Sequence, residues 1–309
     1  MPNAAASANV PGPAGRALAW LSEEPVEARA RVLDFQRFLL VYGAVRSILW
    51  ASLAEEGRAF LLPAALGVGV AAVFALRGRS GLRPARWALP FVAGQALWRF
   101  PFTANHLYLE VVCLSLLALV RRGAEGREER DEAALALGGL RAVTAAVLFH
   151  TGLQKVFYGH YFHGDFLAFM AGAEARFGRV FQWLLPDGEV ARLASLDRNQ
   201  TGAGPYRVEA PLFVLASNLV WIAELSLPVL LVVRRTRWLA ALGAIGLMVG
   251  IQVAALELGF ALLFVNLLLL FLPGRWNARL FPAFAGLLLY ALAALAGLVP
   301  GDPAAWNLL

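Results

Sequence analysis

The segment HTGLQKVFYGHYFHG, residues 150–164, holds the side chains whose types are best suited to chemistry. The chain has 27 lysine and arginine residues, and Lys155 in this segment is the only lysine. Arginine keeps its proton in proteins, whereas a lysine amine in a low-dielectric site gives up its proton more readily. A neutral amine can act as a base or as a nucleophile. The sequence therefore favours Lys155 as a candidate proton-transfer group.

Other polar side chains lie within or beside the apolar runs of the sequence. An ionisable side chain at membrane depth costs about 2.5–3.5 kcal/mol, so each one requires a partner or a function. The helix directions derived below place His150 about two turns below the outer end of its helix. They gather five further polar residues in the outer half of the bundle: Asn105, His106, Lys155, Asn218 and Gln252. The remaining in-membrane cations are Arg46 and Arg141. We interpret Glu224 and Glu257 as their partners.

Several of these residues also have a simpler structural interpretation. Lys155 could extend its ammonium group to the outer headgroups, as long cationic side chains do near helix ends. His160 and His163 lie in a predicted interfacial loop without nearby carboxylates or thiols at ligand spacing, so we expect no metal site. Cys113 is the only cysteine and lies within an apolar run, which excludes a disulfide framework.

The composition is typical of a membrane protein. Of the 309 residues, 60% are hydrophobic and 16% are charged, and the mean hydropathy is +0.64. A soluble domain is nearer half apolar and a quarter charged. Several apolar runs also reach the ~20 residues that a helix needs to cross a bilayer. The sequence therefore predicts an all-α fold, a polytopic transmembrane helix bundle.

The net charge of +6 would suggest nucleic acid as the partner of a soluble protein. Here the arginines cluster in short loops between apolar runs, which is typical of membrane topology and of contact with anionic lipids. We therefore expect membrane lipids and no nucleic acid as partners. The N-terminal segment has no apolar core followed by a cleavage site, so no signal peptide is predicted.

Nine candidate helices follow from the apolar runs, or eight if the ALELG turn at 255–259 is not a break. Their predicted ranges are 34–53, 59–77, 86–101, 105–120, 136–158, 211–233, 238–254, 258–273 and 280–299. In the long loop 159–210, apolar residues at helical spacing, among them Phe166, Phe177 and Phe181, predict one amphipathic helix over 165–185. We expect this helix to lie in the outer membrane interface, with a shorter helix after it at 189–197.

Loop arginines determine the predicted orientation. Alternate loops, starting with the N-terminus, carry most of them, while the opposite short loops carry only Arg58 and Arg99. The positive-inside rule then places the N-terminus in the cytoplasm and the long loop outside, most simply in the cell inner membrane. The predicted organisation is a cytoplasmic tail at 1–32, a transmembrane domain at 33–273 and a further transmembrane helix with a short tail at 274–309.

Two segments carry a family resemblance. ANHLYLEVVCLSLLAL, residues 104–119, resembles the N-H-x-Y-L helix of the membrane domain of vitamin K-dependent gamma-carboxylase, also called the horizontally transferred transmembrane (HTTM) domain. HTGLQKVFYGHYFHGDFLAFM, residues 150–170, is similar to the A-G-x-x-K-L segment of that family. The helix at 35–51 and the paired helices after residue 217 fit the same order, so the resemblance covers most of 33–273.

The resemblance implies that Lys155 is a base that deprotonates a reduced quinone, with His106 and Asn105 as neighbouring catalytic groups. Four further residues would line the cavity for the quinone or another lipid-like substrate: His150, Asn218, Gln252 and Tyr158. An exported peptide is a second implied substrate. The carboxylases have a histidine where Gln252 aligns, and no large outer domain follows the last helix. The resemblance therefore implies the site, but not carboxylation.

Three classes of function follow from the sequence. The first is a membrane enzyme with Lys155 as its base, acting on a quinone, a lipid or an exported peptide at the outer face. The second is a non-catalytic scaffold, accessory subunit, or toxin-maturation or immunity partner, which would use the amphipathic outer helix as its binding surface. The third, a transporter, ranks lowest because no inverted repeat is visible. Small quinone-linked DoxX-like proteins are a related alternative with four helices.

Overall fold

The computed structural model describes residues 25–53, 58–78, 81–98, 100, 105–120, 127–196 and 204–300. These residues form twelve α-helices and one 3-10 turn, with no β-strand among them. The predicted all-α fold is confirmed. Nine of the twelve helices correspond to the nine predicted ones, and the other three lie in the predicted outer loop.

The α-helices are, in chain order, α1 Pro25–Leu53, α2 Arg58–Leu76, α3 Arg83–Trp98, α4 Asn105–Leu119, α5 Arg127–Tyr158, α6 Asp165–Ala173, α7 Ala175–Phe181, α8 Glu189–Ala194, α9 Pro211–Val232, α10 Arg237–Ala255, α11 Leu258–Leu269 and α12 Trp276–Leu295. The 3-10 turn is Gly204–Tyr206. Helix α1 packs against α2, α5 and α12, and α5 packs against α9, which in turn contacts α10. The main core surrounds α1, where Phe38, Leu39 and Leu49 are fully buried.

Four of the described helices are long and apolar enough to cross a membrane, as judged by length and composition. They contain the segments Glu132–Tyr158, Pro211–Val232, Arg237–Ala255 and Trp276–Leu295. Shorter apolar segments at Phe60–Leu76, His106–Leu119 and Leu258–Leu269 belong to α2, α4 and α11. These helices support association with a membrane, while the predicted number of eight or nine spans stays a prediction.

Helix α1 begins earlier than the sequence pattern predicts. It starts at Pro25, whereas the predicted cytoplasmic tail extends to residue 32. Proline suits the first turn of a helix because its missing N–H would have no intrahelical partner there. Arg31 therefore lies inside α1, where it is buried and donates hydrogen bonds to the carbonyls of Leu270 and Leu272. It thereby supplies donors to the unpaired carbonyls at the end of α11.

Arg141, on α5, has the same role at the end of α11. Its Nε and Nη2 atoms donate to the Leu270 carbonyl at 2.9 and 2.6 Å. The prediction that Glu224 and Glu257 pair with Arg46 and Arg141 is therefore wrong. Arg46 pairs with Glu110, and Glu224 pairs with Lys155, as described below. A helix end inside the bundle attracts a buried cation as a carboxylate does, because its carbonyls carry partial negative charge.

Helices α6, α7 and α8 and the 3-10 turn form a small unit, called the cap below, which packs around the start of α9. Its own core contains Leu167, Ala168, Leu193, Tyr206 and Phe213. Phe213 lies in the first turn of α9, so the beginning of that helix belongs to the cap rather than to the main core.

The single amphipathic helix predicted over 165–185 is wrong, because the chain breaks at Glu174. That residue is extended, with φ −124° and ψ 116°, and separates α6 from α7. The break folds α6 against α8 so closely that a Cβ at Gly172 would lie 2.5 Å from the Leu193 carbonyl oxygen. The buried face of α6 contains Leu167 and Ala168, whereas Phe166, expected on the apolar side, is 39% exposed.

Candidate functional site

A close crossing of α5 and α9 positions the only lysine. At Gly152, a Cβ atom would lie 2.9 Å from the Glu224 Cβ and 3.0 Å from the Glu224 carbonyl carbon. Such distances are too short for any other residue without movement of the α9 backbone. Lys155 follows Gly152 by three residues, which places both on the same face of α5. Glycine at this crossing therefore brings the Lys155 side chain against Glu224.

Lys155 and Glu224 form a two-pronged ion pair. The Lys155 Nζ donates to the Glu224 Oε1 at 2.9 Å and to Oε2 at 2.7 Å. The Lys155 side chain is 19% exposed and that of Glu224 is 4% exposed. The Tyr161 ring centroid lies 5.2 Å from the same ammonium nitrogen. The amine is thus turned toward a carboxylate and an aromatic face, rather than extended away from the bundle as a snorkelling lysine would be.

The turn at 159–164 holds Tyr161 over this pair. The Ser217 Oγ donates to the Tyr161 carbonyl at 2.8 Å, and the Asn218 Nδ2 donates to the Phe162 carbonyl at 3.0 Å. Trp221 in turn donates from Nε1 to the Asn218 Oδ1 at 2.9 Å. Three polar side chains on one face of α9 therefore fix a turn that begins at the end of α5.

Glycine is required at both ends of this turn. Gly159 has φ +71° and Gly164 has φ +78°, in the left-handed region that other residues rarely adopt.

Burial raises the pKa of the Tyr161 hydroxyl, and the carboxylates of Glu224 and Glu257 raise it further. The Tyr161 phenol consequently stays protonated and is available as a hydrogen-bond donor near the ion pair.

A second polar cluster, called the Arg46 cluster below, lies between α1, α3 and α4. The Arg46 Nε donates to the Glu110 Oε2 at 2.9 Å, and the Arg46 Nη2 donates to the Gln95 Oε1 at 2.7 Å. The Gln95 Nε2 donates to the Ser47 Oγ at 3.0 Å, which completes the network. Glycine again permits the approach, because a Cβ at Gly43 would lie 2.4 Å from the Glu110 Oε1. Burial of such a charged pair costs desolvation free energy, which the ion pair and its hydrogen bonds must offset. The Glu110 Oε1 contributes no hydrogen bond among the described residues.

His106 belongs to the Arg46 cluster rather than to the Lys155 site. It is 8% exposed, lies one turn before Glu110 on α4 and is within electrostatic reach of Arg46. Among the described residues, no hydrogen bond or ion pair joins His106 to Lys155. Asn105 begins α4, but its side chain lies outside what the structure describes. The predicted group of Lys155, His106 and Asn105 is therefore not joined by direct contacts between described side chains.

The predicted substrate-binding residues occupy different environments. His150 is exposed, and Tyr158 is 71% exposed and stacks on His160 with ring centroids 6.5 Å apart. Asn218 donates a hydrogen bond to the Phe162 carbonyl in the 159–164 turn. Both amide atoms of Gln252 are buried and have no hydrogen-bond partner among the described residues. Only Asn218 is thus linked to the Lys155 site by contacts within the structure.

Sequence reasoning missed Glu224 as the partner of Lys155, and it missed Ser217 and Tyr161. Counting residues from the start of α9 places Glu224 near mid-membrane, whereas Lys155 lies three residues from the end of α5. The two side chains meet because the first turns of α9 extend into the cap. The spacing of Gly152 and Lys155 is the one signal that could have indicated a close helix crossing at this level.

The described residues contain no group of three or more His, Cys, Asp or Glu side chains that could hold a metal ion. Cys113 is buried as a free thiol. The arrangement at Lys155 can therefore exchange a proton between an amine and a carboxylate, and it can present a phenol beside them.

A comparison of the chain with protein-family models, with curated proteins and with solved structures found no match, so the family resemblance stays a prediction from the sequence.

Proposed function

We propose that the chain is an integral membrane protein whose Lys155–Glu224 pair takes a proton from a membrane-soluble, hydroxyl-bearing substrate such as a reduced quinone. The observation that carries the proposal is the two-pronged contact of the only lysine with a nearly buried carboxylate, at 2.7 and 2.9 Å. The resemblance of 150–170 to the gamma-carboxylase membrane domain supports the same role for Lys155. In the predicted orientation this end of α5 faces outward.

The pair supplies a route to a neutral amine. Transfer of one proton from the Lys155 Nζ to a Glu224 oxygen converts two opposite charges into an amine and a carboxylic acid. A low-dielectric environment penalises charged forms, so it lowers the free-energy cost of this transfer relative to water. An arginine in the same position could form the ion pair but could not release its proton. The only lysine therefore stands where its partner can accept that proton.

The proposed chemical step is a proton transfer. The substrate O–H bond breaks, an N–H bond forms on the neutral Lys155 amine, and the electron pair stays on the substrate oxygen. The product is an oxyanion beside an ammonium group, which stabilises the new charge in a site with little water. The Tyr161 hydroxyl, which keeps its proton, is placed to donate a hydrogen bond in the same region. No oxidant is needed for this step.

Spectroscopy of a bound quinol tests the proposal. The purified protein in lipid nanodiscs is mixed, without oxygen, with a short-chain reduced menaquinone, and the absorbance of the hydroquinone anion is recorded at neutral pH. We expect an anion band with the native protein and none with Lys155→Arg. Arg192→Lys, in the exposed Glu189–Arg192 pair of the cap, is the matched control and should leave the band unchanged. An equal anion band in Lys155→Arg, or none in the native protein, would contradict the proposal.

One observation favours a second candidate, a non-catalytic membrane partner. Trp183, two residues after α7, is 83% exposed, and Phe166 on α6 is 39% exposed, so the cap presents aromatic surface. Phe181, by contrast, packs against Phe213 with ring centroids 5.4 Å apart, so a charge there would disturb the core of the cap. If the chain acts only through this surface, Trp183→Glu abolishes partner binding and Lys155→Arg has no effect.

A further inference from the structure

The Gln252 side chain is the most unusual polar group near the Lys155 site. Its Nε2 and Oε1 atoms are both buried, and neither has a hydrogen-bond partner among the described residues. A buried carboxamide can make up to four hydrogen bonds, and most buried polar groups in proteins make at least one. Leaving donor and acceptor unpaired is unfavourable for the folded protein. The Gln252 amide is therefore a candidate ligand-binding group.

The position of Gln252 on α10 directs its side chain into the bundle. The buried residues Ala240, Ala244 and Met248 precede it at intervals of four, and Gln252 continues this series. Residues four apart lie on the same face of a helix. Gln252 is partly buried and thus lies at the edge of the face that α10 turns toward its neighbours, with both of its amide atoms buried.

The register of α9 and α10 gives the level of Gln252 in the bundle. The two helices are joined by a short loop and run antiparallel, and a Cβ at Gly243 would lie 3.2 Å from the Leu227 side chain. Gln252 is nine residues beyond Gly243, or about 14 Å along the axis. The same step along α9 from Leu227 reaches Asn218, which holds the 159–164 turn. Gln252 therefore lies level with that turn, beyond the level of Glu224.

Glu257 connects this end of α10 with the Lys155 site. It follows the end of α10 by two residues and lies close enough to Tyr161 to influence its hydroxyl, as Glu224 does. The carboxylates of Glu224 and Glu257 thus outnumber the ammonium of Lys155 around Tyr161. An excess of negative charge disfavours an anionic ligand, such as a phosphate or a carboxylate. The uncharged Gln252 amide offers both a donor and an acceptor, which match a neutral group that has both.

We infer that Gln252 binds the head group of the substrate, and that this head group is neutral and carries a hydrogen-bond donor next to an acceptor, as an amide or a hydroxyl does. The inference rests on the proposed function for the location of the substrate, and it adds that the head group is uncharged and is held by Gln252. The apolar part of such an amphiphile would remain among the apolar helices. The ligand then supplies the hydrogen-bond partners that the Gln252 amide lacks among the described residues.

Stability of the ligand-free protein is the first test. Gln252→Met keeps the shape of the side chain and removes the unpaired amide, so it should raise the melting temperature of the protein in detergent. Gln95→Met is the matched control, because the buried Gln95 amide is hydrogen-bonded to Arg46 and Ser47 and its loss should lower the melting temperature. A lower melting temperature for Gln252→Met would show a structural partner for the amide and overturn the inference.

Head-group selectivity is the second test. The affinities of oleamide, methyl oleate and oleate are measured by competition on the native protein in nanodiscs. We expect oleamide to bind about tenfold more tightly than methyl oleate, the difference that one or two hydrogen bonds supply, and more tightly than oleate. Gln252→Met should remove the preference over methyl oleate. Equal binding of oleamide and methyl oleate to the native protein, or an unchanged preference in Gln252→Met, would overturn the inference.

The two proposals fail in different ways. Lys155→Arg leaves Gln252 intact, so it should keep the head-group preference while losing the quinol anion band. If the anion band persists in Lys155→Arg, the proton-transfer function is wrong, whereas the inference about Gln252 is judged by the head-group preference of the native protein and of Gln252→Met.

Discussion

Removal of the Lys155 ammonium should leave Glu224 as an uncompensated carboxylate in the bundle. Lys155→Met preserves the length of the side chain and removes its charge. At the observed N–O distances of 2.7 and 2.9 Å, two unit charges attract by about 6 kcal/mol for an effective dielectric constant of 20, before desolvation is subtracted. Breaking a buried pair by removal of one partner typically costs about 3–5 kcal/mol.

Protonation limits that cost, because the orphaned carboxyl can take up a proton. For a carboxyl with an ordinary pKa of about 4.3, protonation at pH 7 costs about 3.7 kcal/mol, since each pH unit corresponds to about 1.4 kcal/mol. We therefore expect Lys155→Met to lower the free energy of unfolding by about 3–4 kcal/mol at pH 7. The loss should shrink to about 1 kcal/mol at pH 5, where protonation is nearly free.

A double-mutant cycle separates the pair from its surroundings. Lys155→Met combined with Glu224→Gln removes both charges, and replacement of a buried pair by neutral groups is often close to neutral. The free energies of unfolding of the single and double variants are measured in mixed detergent micelles at pH 7 and pH 5. A loss below about 1 kcal/mol in Lys155→Met at pH 7, or a loss that does not change with pH, would refute the argument that Glu224 is shielded from water.

Two further predictions concern helix packing and the other ion pairs. Gly152→Ala should lower the free energy of unfolding by about 1–3 kcal/mol, because the new methyl group meets the α9 backbone, and chemical denaturation measures the loss; a neutral effect would mean that α5 and α9 separate at no cost. Glu110→Gln, which leaves the buried Arg46 guanidinium without its carboxylate, should cost about 3–5 kcal/mol, whereas Arg192→Ala in the exposed cap pair should cost less than about 1 kcal/mol. Equal losses in these two variants would contradict the difference in burial.

The helices were predictable because each contains an apolar run, and because the runs are separated by arginine-rich or proline-rich loops. The structure extends α1 and α5 about nine residues before their predicted starts, because polar turns can continue a helix beyond its apolar stretch. The break at Glu174 could not be foreseen from helical spacing. It depends on the packing of α8 against Gly172, a contact between segments about twenty residues apart in sequence.

The candidate site was only partly predictable for a related reason. The sequence alone singled out Lys155, because the presence of one lysine among many arginines is visible without a structure. Its partner depends on how far α9 extends beyond the end of α5, and that offset is determined by the cap. The prediction counted residues along each helix and assumed that all helices end at the same depth in the membrane. On that assumption, Glu224 was paired with an arginine and His106 was grouped with Lys155.

Nuclear magnetic resonance of the only lysine tests the central claim most directly. Because Lys155 is the only lysine, growth with ¹⁵N-lysine gives a single ammonium signal in the protein, and the rate at which its protons exchange with water can be measured. We predict a signal with slow exchange at neutral pH in the native protein, and much faster exchange in Glu224→Gln. Exchange as rapid as that of a free lysine in both proteins would show that the ammonium is solvated and that the Lys155–Glu224 pair is not a protected proton-transfer site.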